Sequence, residues 1–251
     1  MTLQPRSTDA QDLDRPPMIS VVIPALNEEQ EIEHCLESLS RQTHTDFEVI
    51  VVDNDSTDAT ASLARSCGVQ VLEETQQGIS CARQAGFEAA RGSIIASTDA
   101  DTVVPPNWLA LIEEAFRERP QTVGVFGPFR YQPHSAPNAF TNRISPYCST
   151  CLVAAQWVTW KLGYPHFPGS NFAVERGAFF EVCGFRSPSN GNFYSYWEDV
   201  QLGLKLNRIG EIRYLPDLIV LASGRKLRSV RRNILYPAKQ AVALHLLRKE
   251  L

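Results

Sequence analysis

No run in this 251-residue chain is apolar for long enough to cross a bilayer. The longest candidate, Cys151 to Leu162, is interrupted by Gln156, Thr159 and Lys161, whereas a spanning helix needs about 20 consecutive apolar residues. The first residues, Met1 to Pro17, lack the apolar core of a secretory signal and read as a loose, polar leader over 1–17. Only six cysteines occur; with no secretory signal they read as reduced thiols rather than a disulfide framework, and the expected location is cytoplasmic, with peripheral attachment at the inner face of the membrane. Cys148-Ser-Thr-Cys151 lacks the second pair that a zinc ribbon needs and reads as packing in a helical segment. Glycine-rich phosphate loops are missing as well. Neither G-x-G-x-x-G nor G-x-x-x-x-G-K-[ST] follows any apolar run, which argues against dinucleotide and P-loop chemistry. His34, His44, His134, His166 and His245 have no metal-ligand spacing and receive no role.

What the chain does contain is ordinary for one globular domain: 43% hydrophobic and 21% charged residues. The net charge of −4 is unevenly placed, because eight of the basic residues lie from Gly224 onward, facing a single acid, Glu250. An acidic body with a basic tail over 224–251 invites an anionic partner such as a lipid headgroup or a phosphate, and nucleic acid is not expected. Pro237 can start a helix in which Gln240, Leu244, Leu247 and Leu251 share a stripe. That stripe suits an anionic membrane surface, and equally suits packing on the protein itself.

Apolar β-branched runs at Met18–Pro24, Phe47–Val52, Val69–Leu72 and Ser93–Ser97 predict buried strands. Helical periodicity fills the gaps: from Asn27 as an N-cap through Leu39, after Ser56 or Thr57 as a cap, and from Ile79 to Arg91, ended by Gly92. Ala82, Ala85, Gly86 and Ala89 give the last of these a small-residue side that can approach a sheet closely. Alternating strands and helices mean parallel βαβ units with ligands at the strands' C-terminal ends. Further on, a helix through Trp108 with proline at its first turn, a strand at Thr122–Gly127, a helix over Pro137–Gly163, a strand at Gly169–Val174 and a helix over Val200–Ile209 predict a less regular, mixed second half. The stretch Gly184–Phe193 reads as a mobile lid.

The C-terminal rim so defined carries Glu28, Asp53, Asp55, Glu73, Glu74, Asp99 and Asp101. So many carboxylates in one place are costly without a cation. Asp99 and Asp101, two apart after Ile94-Ile95, would face one pocket in extended backbone and suit Mg²⁺ or Mn²⁺; alone, the same pair reads equally as a turn.

In order, VVIPALNEE, VVDNDSTDAT, GISCARQAG, STDADT, PGSNFAVERGAFFEVCGF and WEDVQLGLKLNRIG resemble the family-two glycosyltransferases of GT-A fold, over roughly residues 18 to 222. The resemblance implies an α/β, Rossmann-like sandwich with a mainly parallel central sheet, a mixed C-terminal half and a basic helical tail. It divides 18–223 into a nucleotide-binding half (18–102) and an acceptor half (103–223). It also implies metal-dependent, inverting transfer from a nucleotide-diphosphate sugar to a sugar or lipid-linked acceptor. Pro24, Ala25, Asn27, Glu28, Asp53, Asp55, Gly78, Arg83 and Asp99 would serve the donor, with Arg83 on an exposed helix face. Asp99 and Asp101 would hold the metal, and Gly169, Ser170, Asn171 and Trp197 would meet the sugar and acceptor. Asp199 would be the base, with Glu198 beside it. Where many relatives carry a histidine after the last strand, this chain has Leu221-Ala-Ser-Gly-Arg225, which leaves a third protein ligand unassigned. Two alternatives remain at this point. One is a haloacid-dehalogenase-type phosphatase with Asp53 as nucleophile and Asp55 as acid; the other is a nucleotide-sugar binding module without catalysis.

Overall fold

Every side chain of Ile19–Ala25 is buried, and this strand, β1, lies inside the large sheet with a strand on each side. The computed structural model describes residues 16–132, 139–186 and 198–226. After β1 come α1 (Ile32–Ser40), β2 (Phe47–Asp53), α2 (Thr60–Ser66), β3 (Gln70–Glu73), α3 (Ile79–Ala89) and β4 (Ile94–Ser97). These four strands are parallel in the order β3-β2-β1-β4, the arrangement expected from βαβ repetition. Then follow β5 (Thr102–Val103), α4 (Trp108–Glu118), β6 (Thr122–Phe126), β7 (Phe129–Tyr131), α5 (Ala139–Lys161), β8 (Phe172–Glu175), α6 (Arg176–Glu181), α7 (Glu198–Leu206), β9 (Glu211–Tyr214) and β10 (Val220–Ala222). The large sheet continues as β4-β8-β6-β9, with β8 antiparallel to both neighbours. A small sheet, β5-β10-β7, stands apart; its strands of two or three residues leave no periodic trace in the sequence.

Both faces of the large sheet are covered. Val21 and Ile23 pack with Leu36, Leu39, Trp108 and Ile112, whereas Val22 packs with Ala82, Phe87, Phe179 and Leu202. This two-sided burial is why β1 reads as a continuous apolar run rather than an alternation. A Cβ on Gly86 would lie 2.3 Å from Val22 Cγ1, so α3 rests with its backbone on the sheet, as its small residues predict.

Three helix starts differ from the expectation. Asn27 is no cap: its φ is 54°, and α1 begins five residues later at Ile32. Ser56 and Thr57 precede α2, which starts at Thr60, where the Asp58 carboxylate accepts the Thr60 N–H at 3.0 Å. Pro105 and Pro106 precede the Asn107 cap of α4 instead of occupying its first turn. Gly92 likewise does not end α3, which stops at Ala89; its Cβ position abuts Ser20 N at 2.6 Å, so a close approach requires glycine.

Asn171, expected to meet the sugar, is a brace. It is fully buried; its Oδ1 accepts from Trp108 Nε1 at 2.9 Å, and its Nδ2 donates to the Pro128 and Leu218 carbonyls. Asn171→Leu leaves three buried polar groups unpaired, at about 1–3 kcal/mol for each such group. A melting temperature lowered by ~6 °C or more is expected. Unchanged melting with lost donor binding would return Asn171 to a ligand role.

Candidate active site

Beyond β4 the chain turns back on itself, with Thr102 N–H donating to the Asp99 carbonyl at 3.1 Å. Asp99 and Asp101 therefore flank a turn, not the extended backbone expected, yet they still border one space. Two cavities meet there. One, of about 410 Å³, is bordered by Pro24, Ala25, Glu28, Asn54, Gly78 and Arg83 among others. The second, of about 320 Å³, is bordered by Tyr131, Gln156, His166, Gly169, Ser170 and Asp199 among others. Asp99 and Asp101 border both.

The first cavity is shaped by two loops at the ends of β2 and β3. Asn54, which sequence reading missed, ties them: its Nδ2 donates to the Glu74 and Gln76 carbonyls, both at 2.9 Å, and its Oδ1 accepts from Gly78 N at 2.8 Å. Gly78 has φ 141°, open to glycine. A single buried asparagine in a loop has no periodicity, so only the fold reveals it. Asp53 is 8% exposed and its buried Oδ1 has no hydrogen-bond partner, a costly state that a ligand hydroxyl or N–H would relieve. Asn27, Asp53 and Asp55 were expected beside the donor and border neither cavity, although Asp53 immediately precedes the lining residue Asn54. Asn27 Oδ1 is taken by Thr57 N at 2.9 Å, and Asp55 Oδ2 accepts from Gln77 Nε2 at 3.3 Å; both hold loops together.

Arg83 is not on an exposed face. At 2% exposure it lies between Asp99, whose Oδ1 is 2.9 Å from Nη2, and Glu198, whose Oε1 is 2.7 Å from Nη1. Burial would lower its pKa, but Asp99, Glu198 and Asp199 hold it above the usual value. A Cβ on Gly169 would fall 2.3 Å from Arg83 Nη2, so a side chain there would displace the guanidinium from Asp99 and Glu198. Arg225 pairs with Glu28, and Ser223 N–H donates to the Asp101 carbonyl at 2.9 Å. The segment 221–225, which has no histidine, thus brings a guanidinium to Glu28.

Glu28, Asp99, Asp101, Glu198 and Asp199 outnumber these two arginines, and the excess negative charge is felt at Cys35, whose thiol is pushed up by burial and then by Asp101 and Asp99. Among the described residues no third His, Cys, Asp or Glu joins the pair in a cluster that could hold a metal. Two carboxylates at the mouth of two cavities fit Mg²⁺ or Mn²⁺ whose other positions are filled by ligand oxygens and water.

On the second side, Asp199 sits in the first turn of α7, with Oδ1 accepting from Val200 N at 2.8 Å. Burial raises its pKa to about 6; Asp99 adds to the rise, while Arg83 and the Val200 N–H restrain it. Glu198, expected to share catalysis, turns to Arg83 and does not border the cavity. Burial, then Asp199, raises its pKa. It positions Arg83. His166 was given no role from sequence, yet its Nε2 lies 4.0 Å from Asp199 Oδ2 and burial lowers its pKa to about 4, so it is neutral at pH 7. Only topology brings it there. Gly169 and Ser170 border this cavity. Trp197 lies outside the described residues, as do His134, His245, 187–193 of the expected lid, 1–15 of the leader and 227–251 of the tail. All six cysteines are free; Cys151 is exposed rather than packed.

A family model for glycosyl transferase family 2 matches residues 20–183. The chain belongs to glycosyl transferase family 2. Curated relatives include glycosyltransferase AglE of Haloferax volcanii, 38% identical over 101 residues (37% of this chain, 33% of AglE). Another is the uncharacterized glycosyltransferase EpsJ of Bacillus subtilis, 35% identical over 114 residues (43% of this chain, 33% of EpsJ). The chain thus spans about a third of these relatives' length. Among solved structures, the mannosyltransferase PcManGT from Pyrobaculum calidifontis in complex with GDP-Man and Mn²⁺ has TM-score 0.67 at 21% identity, covering 94% of this chain and 65% of PcManGT. Mycobacterium tuberculosis glucosyl-3-phosphoglycerate synthase with Mn²⁺, UDP and glucosyl-3-phosphoglycerate has TM-score 0.58 at 21% identity, covering 91% of this chain and 81% of that one. These likenesses establish the GT-A fold, and family membership sets the phosphatase reading aside. Among the described residues no helix is long and apolar enough to cross a membrane.

Proposed function

We propose that this chain transfers a sugar from a nucleoside-diphosphate sugar to an acceptor hydroxyl, with Mg²⁺ or Mn²⁺ and with inversion at the anomeric carbon. The observation that carries the reading is the pair of cavities joined at Asp99 and Asp101, with Asp199 bordering only the second. The first cavity is the donor side: Pro24, Ala25, Glu28 and Gly78 border it, and Asp53, next to the lining residue Asn54, keeps a buried Oδ1 without a partner, which supports contact with the nucleoside. The neighbours bound to GDP-Man or UDP together with Mn²⁺ support a nucleotide donor and a divalent ion. Asp99 and Asp101 would hold that ion, which when bound supplies Lewis-acid stabilisation of charge on the departing diphosphate. Arg83, locked between Asp99 and Glu198, fixes both carboxylates. Asp199 takes the proton from the acceptor hydroxyl as it attacks, from the face opposite the leaving group. The acceptor is a sugar or a lipid-linked hydroxyl compound, and a basic tail over 224–251 would favour an anionic surface.

A thermal-shift series with UDP, GDP and their sugars, with and without Mn²⁺, tests this. A ligand at a hundredfold its Kd adds about 2.7 kcal/mol to the folded state, or ~5–10 °C. The expected result is a shift that needs both nucleotide and Mn²⁺. No shift with any nucleotide at millimolar concentration would remove the donor site.

A further inference from the structure

Helix α5 is built the wrong way round for a helix facing water. Its buried positions include Thr141, Ser145, Ser149 and Gln156, whereas Tyr147, Cys151, Ala154, Trp157, Val158 and Leu162 just beyond its end are exposed. The exposure of the large side chains is 74% at Tyr147, 47% at Trp157, 46% at Val158 and 68% at Leu162, which makes this a patch rather than scattered apolar atoms. Spacings of three and four residues put the exposed set on one side of the helix, opposite Gln156. A shallow groove between Trp157, Trp160, Tyr214 and Pro216 continues it.

Charge says what covers this face. The chain holds 28 acidic residues, yet none lies between Glu118 and Glu175, while Arg119, Arg130, Arg143 and Lys161 do. Arg143 and Lys161 are exposed near the two ends of α5. Aromatic and aliphatic side chains with basic residues near both ends of α5, and no acid in the helix, match an anionic lipid interface; the exposed Asp217, next to Pro216, lies at the groove end of the patch. The chain's own tail matches poorly: from Gly224 it carries eight basic residues and one acid, and α5 itself offers no carboxylate to receive them. A second copy would set the same basic margins against each other.

We infer that the outer face of α5 docks on an anionic bilayer surface, with Trp157, Val158 and Leu162 entering the headgroup–acyl boundary. The inner face of the same helix supplies Leu152 and Gln156 to the second cavity. Docking would therefore hold that cavity beside the lipid surface, where a lipid-linked acceptor hydroxyl lies; this consequence rests on the transferase reading, whereas the docking does not.

The test is co-sedimentation of the full chain with phosphatidylcholine vesicles, with and without phosphatidylglycerol. Wild type is expected to pellet with the anionic vesicles alone. Trp157→Ser with Leu162→Ser is expected to lower the partition coefficient by on the order of tenfold with unchanged melting, while Trp157→Phe with Leu162→Ile retains binding. Vesicle binding needs no turnover, so its failure is distinguishable from failure of sugar transfer. The inference is overturned if wild type stays in the supernatant, or if the serine pair binds as well as wild type, which would assign attachment to 227–251. It is equally overturned if wild type forms a dimer that the serine pair abolishes.

Discussion

Asp199→Asn lowers the turnover of sugar transfer by ~10²–10⁴-fold, the usual scale for loss of a general base, with the donor Kd little changed. Asparagine keeps the size of the side chain and an oxygen for the Val200 N–H, but cannot take a proton. The same assignment fixes a pH dependence. The raised Asp199 pKa of about 6 means that the base is ionised above that value and protonated below it. kcat/KM should therefore fall tenfold per pH unit on the acid side of about 6 in wild type, and the limb should vanish in the variant. His166 does not produce this limb, because its burial-lowered pKa lies near 4. Stopped-assay rates from pH 4.5 to 8 decide it. Wild-type rates in Asp199→Asn would reduce Asp199 to a helix-terminal carboxylate.

Asp101→Asn is expected to lower metal-dependent transfer by ~10³-fold or more, because one of two carboxylates at the junction of the cavities loses its charge. Asp101 is the cleaner of the two to replace. Asp99 also pairs with the buried Arg83, so changing it disturbs the Arg83–Glu198 contact as well. Rates against Mn²⁺ concentration, together with the nucleotide-induced melting shift, separate the causes: in Asp101→Asn the Mn²⁺-dependent part of the shift disappears while melting without ligand is retained. Full turnover of wild type in excess chelator would sink the metal assignment.

Much of this molecule is written locally. β1, β2 and β4 are apolar runs buried on both faces, and such runs are visible without any partner, whereas β3, also expected to be buried, is the edge strand with Gln70 and Glu73 exposed. The small residues of α3 announce a close approach, and Gly86 makes it. The places of Asp99, Asp101 and Asp199 were legible because each follows a strand or opens a helix, where backbone geometry aims side chains at one edge of the sheet. What stayed hidden depends on contacts between segments far apart in the chain. Helix starts at Asn27 and Ser56 were misplaced because side chains that resemble caps were claimed by other loops, as Asn27 is by Thr57 and Ser56 by the Asn27 N–H. Asn171 looked like a ligand residue and is a brace, because Trp108, 63 residues away, donates to it.

The sequence by itself determined the alternating βα order, the buried strands and the acidic rim, since burial pattern and turn chemistry act within a few residues. Only the tertiary structure decided which acids act together. Arg83 and Glu198 lie 115 positions apart, and their 2.7 Å contact turns Glu198 away from the cavity and leaves Asp199 facing it. Only the fold gave His166 a place beside Asp199 and gave α5 an apolar face toward the outside. The physical reason is the same in each case: the pKa, charge balance and exposure of a side chain are set by what packs around it, and that packing comes from other parts of the chain.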